Sequence, residues 1–304
     1  SARSGTTLPA TPPLPRTYFQ AIVALASHLD IEQCQFRNLP SESDVAEGDA
    51  IAIISDDVAN PGRATANIRN CQFTGIGQAI HTRFAAIFVE GCYFTAHNGD
   101  NDDIDMYGES LPPSLIAHNI MLDPDSDDAM NPTRSSAVMI GNVIGHSGTA
   151  RQGDSCVVLR DRCNPVMINN TVFNANSVGI DVQNTCDALL VNNTVVNCGT
   201  GINFRDHTTR WGNPYWLTPG AATATVLNCI VWDCGTAFNL VDSPSANQPG
   251  SKATVNYCDV EGGQAAAIVS ANSTLTWGPN NRNANPAFVN LAGNNYHLTG
   301  SSPC

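Results

Sequence analysis

The sequence contains few positive charges and few charged residues of any kind. Charged side chains make up 13% of the 304 residues, and Lys252 is the one lysine. With a net charge of -13, the chain lacks the basic surface that binding to nucleic-acid phosphates requires. The composition instead favours partners that carry positive charge, such as metal cations or basic surfaces.

Long apolar runs and paired metal-binding cysteines are missing as well. No run approaches the roughly 18 apolar residues of a membrane span. No basic segment followed by an apolar one opens the chain, so we expect any signal peptide to have been removed already. The cysteines include no Cys-x-x-Cys pair, which argues against a zinc ribbon and is compatible with an oxidising compartment. We therefore expect an extracellular or cell-surface protein without a membrane span.

No part of the chain keeps a helical period of about 3.6 residues between capping residues, which favours an all-β protein. Residues 1–16 are rich in Pro, Ser and Thr and are predicted to form an extended leader. Residues 17–304 are predicted to form one domain with an irregular tail from about residue 278. A single continuous core of this length buries enough surface that no second domain is needed.

A short motif recurs through this domain. It opens with Asn in most copies, and strand-forming residues follow. The copies begin at Asn70, Gly91, Asn119, Asn142, Asn170, Asn193, Asn228 and Tyr257. Their separation runs from 21 residues (Asn70 to Gly91) to 35 residues (Asn193 to Asn228). Asn at equivalent positions of stacked units predicts an asparagine ladder.

A second motif follows each copy of the first and places an apolar residue before a mostly polar one. This is the period-2 alternation of a short strand with one buried face. The apolar residues are predicted to stack in one inward column: Ile51, Ile80, Ile104, Met130, Val157, Ile180, Ile202, Phe238 and Ile268. The polar residues after them are expected to form an outward stripe, either a solvated face with amide ladders or a sugar-binding groove. The stripe consists of His81, Asp105, Asn131, Asp181, Asn203 and Asn239.

Two short strands per unit of roughly 20–30 residues predict a β-solenoid with insertions at its corners. The Asn-x-x-Val/Phe ladder followed by Gly-Ile-Asp resembles the right-handed parallel β-helix repeat of secreted bacterial proteins. The tail from Asn285 to Cys304 is similar to the closing module of many of them. The resemblance implies an all-β, right-handed parallel β-helix (solenoid) of about nine to ten coils.

Negative charge is concentrated in one part of the chain. Ten of the 27 acids lie between Phe84 and Thr133, where there is no Lys or Arg. Asp102 and Asp128 both stand two residues before a residue of the inward column, so they are expected to meet on neighbouring coils. Like charges that close require a cation or a raised pKa. Because calcium takes six to eight oxygen ligands, we predict a calcium site that uses Asp102, Asp103, Asp105, Asp127 and Asp128.

The same acids carry a second resemblance. Asn101-Asp102-Asp103-Ile104-Asp105 is similar to the Asn-Thr-Asp-Gly-Ile-Asp segment of polygalacturonase-type glycoside hydrolases, and Asp127-Asp128-Ala129-Met130 is similar to their Asp-Asp-Cys-Ile segment. The resemblance implies that Asp102, Asp127 and Asp128 are catalytic carboxylates. It also implies that His146, in Gly145-His146-Ser147-Gly148, matches the Gly-His-Gly of that family. The family's later Arg-Ile-Lys segment has no counterpart in this sequence.

These observations leave two hypotheses of function. The favoured one is a non-catalytic extracellular structural or adhesive module with an acidic cation-binding patch. The alternative is a polygalacturonase-like glycoside hydrolase, which would cleave an acidic polysaccharide with an aspartate cluster and a water. A polysaccharide lyase that uses calcium and an arginine base is a further alternative, and the basic residues on nearby units are Arg134, Arg151 and Arg160.

Three aromatic residues stand together in the longest unit of the repeat. Trp211, Tyr215 and Trp216 lie in a loop that contains Gly and Pro, where core packing is not expected. They are predicted either to contact a carbohydrate or a partner protein, or to pack as a lid on the side of the solenoid.

The cysteines are predicted to be mainly structural. Cys198 and Cys234 occupy equivalent places in adjacent units, so they are expected to stack and could be bridged. Cys156 and Cys163 could close a short loop. The cysteines of the first motif are expected to be buried as small apolar residues, namely Cys71, Cys92, Cys229 and Cys258.

The two ends of a solenoid expose backbone groups that have no neighbouring strand. We therefore expect the chain to self-associate into a filament or an array, since head-to-tail contacts give open polymers. The alternative is a monomer in which the leader and the tail cover the two ends.

Overall fold

The computed structural model describes residues 21–39, 49–55, 64–95, 102–122, 128–146, 155–206, 220–243 and 249–304. Within these ranges the chain winds through three sheets in turn, here called sheets A, B and C. Every strand of these sheets pairs in parallel with the equivalent strand of the neighbouring coil, as in Ile104 opposite Met130. The result is a parallel β-helix with ten strands in each of sheets A and B and nine in sheet C.

The strand bounds show how regular the coils are. Sheet A contains β1 (Ile22–Leu25), β4 (Asp49–Ile54), β7 (Gln78–Arg83), β10 (Ile104–Tyr107), β13 (Met130–Thr133), β16 (Ser155–Arg160), β19 (Val178–Gln183), β22 (Thr200–Arg205), β25 (Thr236–Leu240) and β28 (Ala267–Val269). Sheet B contains β2 (His28–Glu32), β5 (Thr65–Arg69), β8 (Ala86–Glu90), β11 (Leu115–Ala117), β14 (Val138–Ile140), β17 (Val166–Ile168), β20 (Asp187–Val191), β23 (Thr223–Leu227), β26 (Lys252–Asn256) and β29 (Thr274–Trp277). Sheet C contains β3 (Gln35–Leu39), β6 (Gln72–Ile76), β9 (Tyr93–Thr95), β12 (Ile120–Leu122), β15 (Val143–Gly145), β18 (Thr171–Phe173), β21 (Thr194–Val196), β24 (Ile230–Trp232) and β27 (Asp259–Val260).

Each coil therefore has three strands, one more than the sequence motifs predict. Sheets B and C meet at a corner of only two residues, as at Gly141-Asn142 between β14 and β15. Because the two strands are nearly continuous in sequence, their alternation of apolar and polar residues looks like that of a single strand.

The inward column of sheet A is confirmed over most of its length. Successive pairing joins Ile51 through Ile202 to Phe238, and all of these side chains are fully buried. The last predicted member is wrong, because Phe238 pairs with Ala267, while Ile268 pairs with Asn239 and is 57% exposed. A 3-10 turn at Gly263–Ala266 precedes this strand. The spacing is unchanged, with nine residues from Cys229 to Phe238 and nine from Cys258 to Ala267, so the prediction failed because it chose the larger apolar residue Ile268 over Ala267.

The core is one apolar stack that runs along the solenoid axis. Its sheet C side includes the stacked rings of Phe36, Phe73 and Phe94, with centroids 5.0 and 4.7 Å apart. Offset-stacked rings at this separation stabilise beyond their buried area. The tail forms an antiparallel pair, β30 (Phe288–Asn290) and β31 (Asn295–Leu298), with a 3-10 turn at Leu291–Gly293.

A column of polar side chains closes the corner between sheets B and C. Asn142 illustrates the pattern. Its Oδ1 accepts from the backbone N–H of Asn119 at 3.0 Å, and its Nδ2 donates to Asn170 Oδ1 and to the Ile116 carbonyl, both at 2.9 Å. The members of this corner ladder are Cys71, Cys92, Asn119, Asn142, Asn170, Asn193, Cys229, Cys258 and Asn281.

The corner ladder confirms the asparagine ladder in the middle of the chain and corrects its ends. Its register shows that Cys71, Cys92, Cys229 and Cys258 occupy the ladder position, whereas the predicted Asn70, Gly91, Asn228 and Tyr257 lie one residue earlier. That earlier position is a turn with positive φ, for example 53° at Asn228. Asn is favoured at both positions, which is why the sequence pattern leaves the register ambiguous.

We expect Asn142→Ala to lower the free energy of unfolding by roughly 2–4 kcal/mol, because it leaves several buried donors and acceptors unsatisfied. Asn142→Cys is the matched variant. A thiol fills the same position at Cys229, where Sγ accepts from Asn193 N at 3.3 Å and donates to the Leu190 carbonyl at 3.6 Å. We expect the Cys variant to lose less than half as much stability in denaturant unfolding. Equal losses for the two variants would show that ladder hydrogen bonding does not stabilise the corner.

Candidate functional site

The outward face of sheet A carries a row of polar side chains, here called the polar column. Its members are His81, Asp105, Asn131, Asp181, Asn203 and Asn239, and Val158 interrupts them between Asn131 and Asp181. All of the polar members except Asn239 are buried. The predicted stripe is therefore an amide and carboxylate ladder, as one alternative proposed, but it is buried rather than solvated.

The second half of the polar column is neutralised internally. The fully buried Asp181 accepts from Asn203 Nδ2 at 2.7 Å, from Gln183 Nε2 at 2.7 Å and from Arg205 Nη2 at 2.6 Å. Asn203 in turn accepts from Asn239 Nδ2 at 2.8 Å. A buried carboxylate is tolerated when a cation and several donors surround it, and this one has both.

The first half includes the predicted Asp105 and lies beside the predicted Asp102, whose carboxylate accepts from Asn131 of the column. Asp102 and Asp128 occupy equivalent places on neighbouring coils, because Asp103 N donates to the Asp128 carbonyl and Ile104 N to the Ala129 carbonyl. Asp102 Oδ1 accepts from Asp128 N at 3.2 Å, and its Oδ2 accepts from Asn131 Nδ2 at 2.9 Å. Both side chains are buried, at 5% and 6% exposure.

Asp105 and His81 form a buried pair next to them. His81 Nδ1 lies 3.3 Å from Asp105 Oδ2, which also accepts from Gln78 Nε2 at 3.1 Å. The His81 ring packs against Tyr107 with centroids 5.7 Å apart. The other oxygen of the Asp105 carboxylate, Oδ1, is buried without a hydrogen-bond partner among the described residues. Asp103, the residue before β10, is 1% exposed.

The remaining predicted site residues fall into two groups. His146 follows β15 at the corner that leads to sheet A, and its carbonyl accepts from Asn174 Nδ2 at 2.8 Å. His146 is 3% exposed. Asp127 and the aromatic trio of Trp211, Tyr215 and Trp216 lie outside the described residues, so the predictions about them stay predictions. Within the described ranges, no three His, Cys, Asp or Glu side chains are grouped as metal ligands would be.

The predicted column of Cys198 and Cys234 is present at the corner between sheets C and A. Cys198 stacks below Cys234, because Gly235 N donates to the Cys198 carbonyl at 2.9 Å. A hydrogen bond with the Cys234 thiol and burial raise the pKa of Cys198 well above its ordinary value. The two thiols are in contact, as one of the two predicted alternatives states, and the prediction of a bridge between them stays a prediction.

Cys156 and Cys163 do not close a loop with each other. Cys156 Sγ donates to the Phe173 carbonyl at 3.8 Å, whereas Cys163 faces Cys186 on the next coil. Burial, with the nearby Asp128 carboxylate, raises the pKa of Cys156 to about 12. This thiol is therefore protonated and unreactive at neutral pH.

A groove of about 430 Å³ on the sheet C side was not predicted from the sequence. Tyr257 projects into it with 58% of its surface exposed, at the turn position that is Asn in the two preceding coils. Arg282 lines the groove and donates to the Pro303 carbonyl. The signal in the sequence was the aromatic residue at a position that is otherwise Asn, Gly, His or Gln in the preceding coils. The amide and hydroxyl groups of the lining come from Asn192, Thr194, Asn228 and Asn280.

Comparison with known proteins identifies the family. Residues 20–214 match the family described as "Right handed beta helix region". Because this match covers more than half of the chain, the protein belongs to the right-handed β-helix family. No curated protein matches the sequence. No helix within the described residues is long and apolar enough to span a membrane.

Among solved structures, a distant similarity is found to a repeat protein. HetL, a pentapeptide repeat protein involved in heterocyst differentiation regulation from the cyanobacterium Nostoc sp. strain PCC 7120, is 11% identical, and the comparison covers 87% of this chain and 88% of that chain. The TM-score is 0.25. At this level of similarity the comparison supports no conclusion about function.

Proposed function

We propose that the protein is a non-catalytic structural or adhesive β-helix module that acts outside the cell, with a cation-binding patch at its buried aspartates. The observation that carries the proposal is the state of Asp102. Both of its oxygens accept hydrogen bonds from the protein, and its side chain is 5% exposed. A carboxylate held in this way supports neighbouring coils and does not face a substrate.

The glycoside hydrolase remains the alternative function. It would need two carboxylates on either side of a sugar, with room for a water or for direct attack. Asp102 instead accepts from the backbone of Asp128, the residue that would be its catalytic partner. The pairing of these two acids therefore favours a structural role over hydrolysis.

The cation-binding patch is supported by burial and by charge. Asp102, Asp103, Asp105 and Asp128 are all at most 6% exposed, and the sequence between Phe84 and Thr133 contains no Lys or Arg. Removing several like charges from water is expensive unless an opposite charge accompanies them. The unpartnered Oδ1 of Asp105 is an oxygen that such a cation would use.

An adhesive role is supported by the groove beside Tyr257. An exposed aromatic ring combined with amide groups and one Arg suits contact with the apolar face and the hydroxyls of a sugar, or with a polar protein surface. The groove lies on the sheet C side, away from the aspartates of sheet A. Adhesion and cation binding are therefore separate properties in this proposal.

Asp102→Asn tests the structural role against catalysis. We expect the wild-type protein to release neither reducing sugars nor unsaturated products from pectins and other acidic glycans. We also expect the variant to lose about 1.5–3 kcal/mol of unfolding free energy, because an amide nitrogen would face a hydrogen-bond donor. Asp187→Asn is the control, because Asp187 is exposed on sheet B. We expect this variant to lose little unfolding free energy. Sugar release that Asp102→Asn abolishes without loss of stability would contradict the proposal.

Calcium is expected to raise the melting temperature. A ligand that binds only the folded state adds about 2.7 kcal/mol at 100 times its dissociation constant. The measurement is thermal unfolding in calcium, in magnesium and in chelator. Asp103→Asn should reduce the calcium response, because it removes one negative charge from the buried patch. Identical midpoints in calcium and in chelator would eliminate the cation site.

End-to-end association is the third expected property. Among the described residues, β1 and β28 are the outermost strands of sheet A, and both expose apolar side chains, including Val23 at 44% and Ile268 at 57%. We expect the sedimentation coefficient to rise with protein concentration, and Ile268→Lys to suppress the rise. Leu111→Lys is the control, because Leu111 is exposed between β10 and β11, on the side of the solenoid. A wild-type monomer at every concentration would contradict end-to-end stacking.

A further inference from the structure

Cys163 and Cys186 form a close sulfur pair at the corner between sheets A and B. Their Sγ atoms are 2.8 Å apart, and both residues are fully buried. The two positions are equivalent on neighbouring coils, because Asp187 N donates to the Cys163 carbonyl at 2.9 Å. The pair is thus fixed by the register of the solenoid and not by a chance approach of loops.

The other stacked thiols are arranged differently. In the corner ladder, Cys71 and Cys258 donate to the backbone carbonyls of Arg69 and Asn256 at 3.2 and 3.3 Å. Cys198 likewise donates to the Val196 carbonyl at 3.4 Å. These thiols also contact the next thiol of their column, as Cys198 contacts Cys234, but each has a backbone carbonyl as acceptor. The sulfur atoms of Cys163 and Cys186 approach each other to 2.8 Å.

We propose that Cys163 and Cys186 are joined by a disulfide that links two neighbouring coils. Equivalent residues on adjacent strands are roughly 4.8 Å apart, which lies inside the range of about 4.4–6.8 Å between the α-carbons of a bridge. The corner needs little movement to close the bond. No other part of the proposed function depends on this bridge.

The chemistry of closure is a two-electron oxidation. Two S–H bonds break, one S–S bond forms, and two protons and two electrons leave. A small disulfide such as oxidised glutathione accepts them and becomes two thiols. The reaction passes through a mixed disulfide between one cysteine and the oxidant, which the second cysteine then displaces.

Burial determines when this oxidation takes place. The oxidant cannot reach either sulfur in the folded coil. Burial and the adjacent Cys163 thiol also raise the pKa of Cys186 well above its ordinary value, so the reactive thiolate is scarce in the native state. The bridge is therefore expected to form while the chain folds, and afterwards to resist added reductant. By closing the loop from Cys163 to Cys186, it restricts the unfolded chain.

The experiment is refolding of the reduced, denatured full chain in a buffer of oxidised and reduced glutathione. Remaining thiols are alkylated in denaturant, and the chain is digested with an endoproteinase that cleaves after aromatic residues, since Phe173 lies between the two cysteines. We expect mass spectrometry to find a crosslinked peptide that contains Cys163 and Cys186. Cys198 and Cys234 form the internal control, and we expect both to be alkylated.

Thermal unfolding provides the second measurement. Protein refolded in the redox buffer should melt about 5 °C or more above protein that was refolded and kept in reductant. A Cys163→Ala/Cys186→Ala double variant should show no such difference between the two buffers. Alkylation of both Cys163 and Cys186 in the wild-type protein refolded with the oxidant would overturn the proposal, whether or not the variant folds. A crosslink that joins either cysteine to a different partner would overturn it as well.

Discussion

The corner ladder is the interaction on which the stacking of coils depends. At the turn between sheets B and C the backbone N–H points along the solenoid axis, where water does not reach it. A buried N–H without an acceptor would destabilise every coil. The side chain of the next coil supplies the acceptor, as Asn142 does for Asn119 and Cys258 does for Cys229. Asn and Cys replace each other because both can accept from that N–H and donate to a carbonyl of the coil before.

This requirement also explains what lies on the outside of the same corner. The residue before each ladder member from Cys71 to Cys258 turns the chain with positive φ, which Asn and Gly adopt most readily. Tyr257 has φ of 58° and is an exception to that preference. Its ring cannot turn inward, because the ladder position beside it belongs to Cys258, so it projects into the groove. A backbone constraint of the fold thus places an aromatic side chain on the surface that we associate with adhesion.

Sequence alone predicts the features that repeat and misses one strand register and the side-chain contacts between coils. Spacing predicts the inward column from Ile51 to Phe238 and the stacking of Asp102 on Asp128. Each of these residues stands at a fixed position in a strand, or a fixed number of residues before one. The register fails at Ile268, because the inward position of that strand belongs to the smaller residue Ala267, which pairs with Phe238. The hydrogen bond from Asn131 to Asp102 and the approach of Cys163 to Cys186 join residues of different coils. No local pattern records such contacts.

The electrostatics of sheet A divide the polar column into two unlike halves. Asp181 is matched by Arg205, and Arg134 pairs with Asp161 through a 2.6 Å contact between Nε and Oδ2. Asp105 of the first half and the neighbouring Asp102 lie in the segment between Phe84 and Thr133, which has no Lys or Arg, and His81 is the basic side chain against Asp105. Buried charge of one sign is stable only when an opposite charge compensates it. The stability of the first half therefore depends on a positive charge from its surroundings, whereas the second half has Arg205. A cation supplied from outside would complete the first half, and its absence would weaken the same coils that the aspartates hold together.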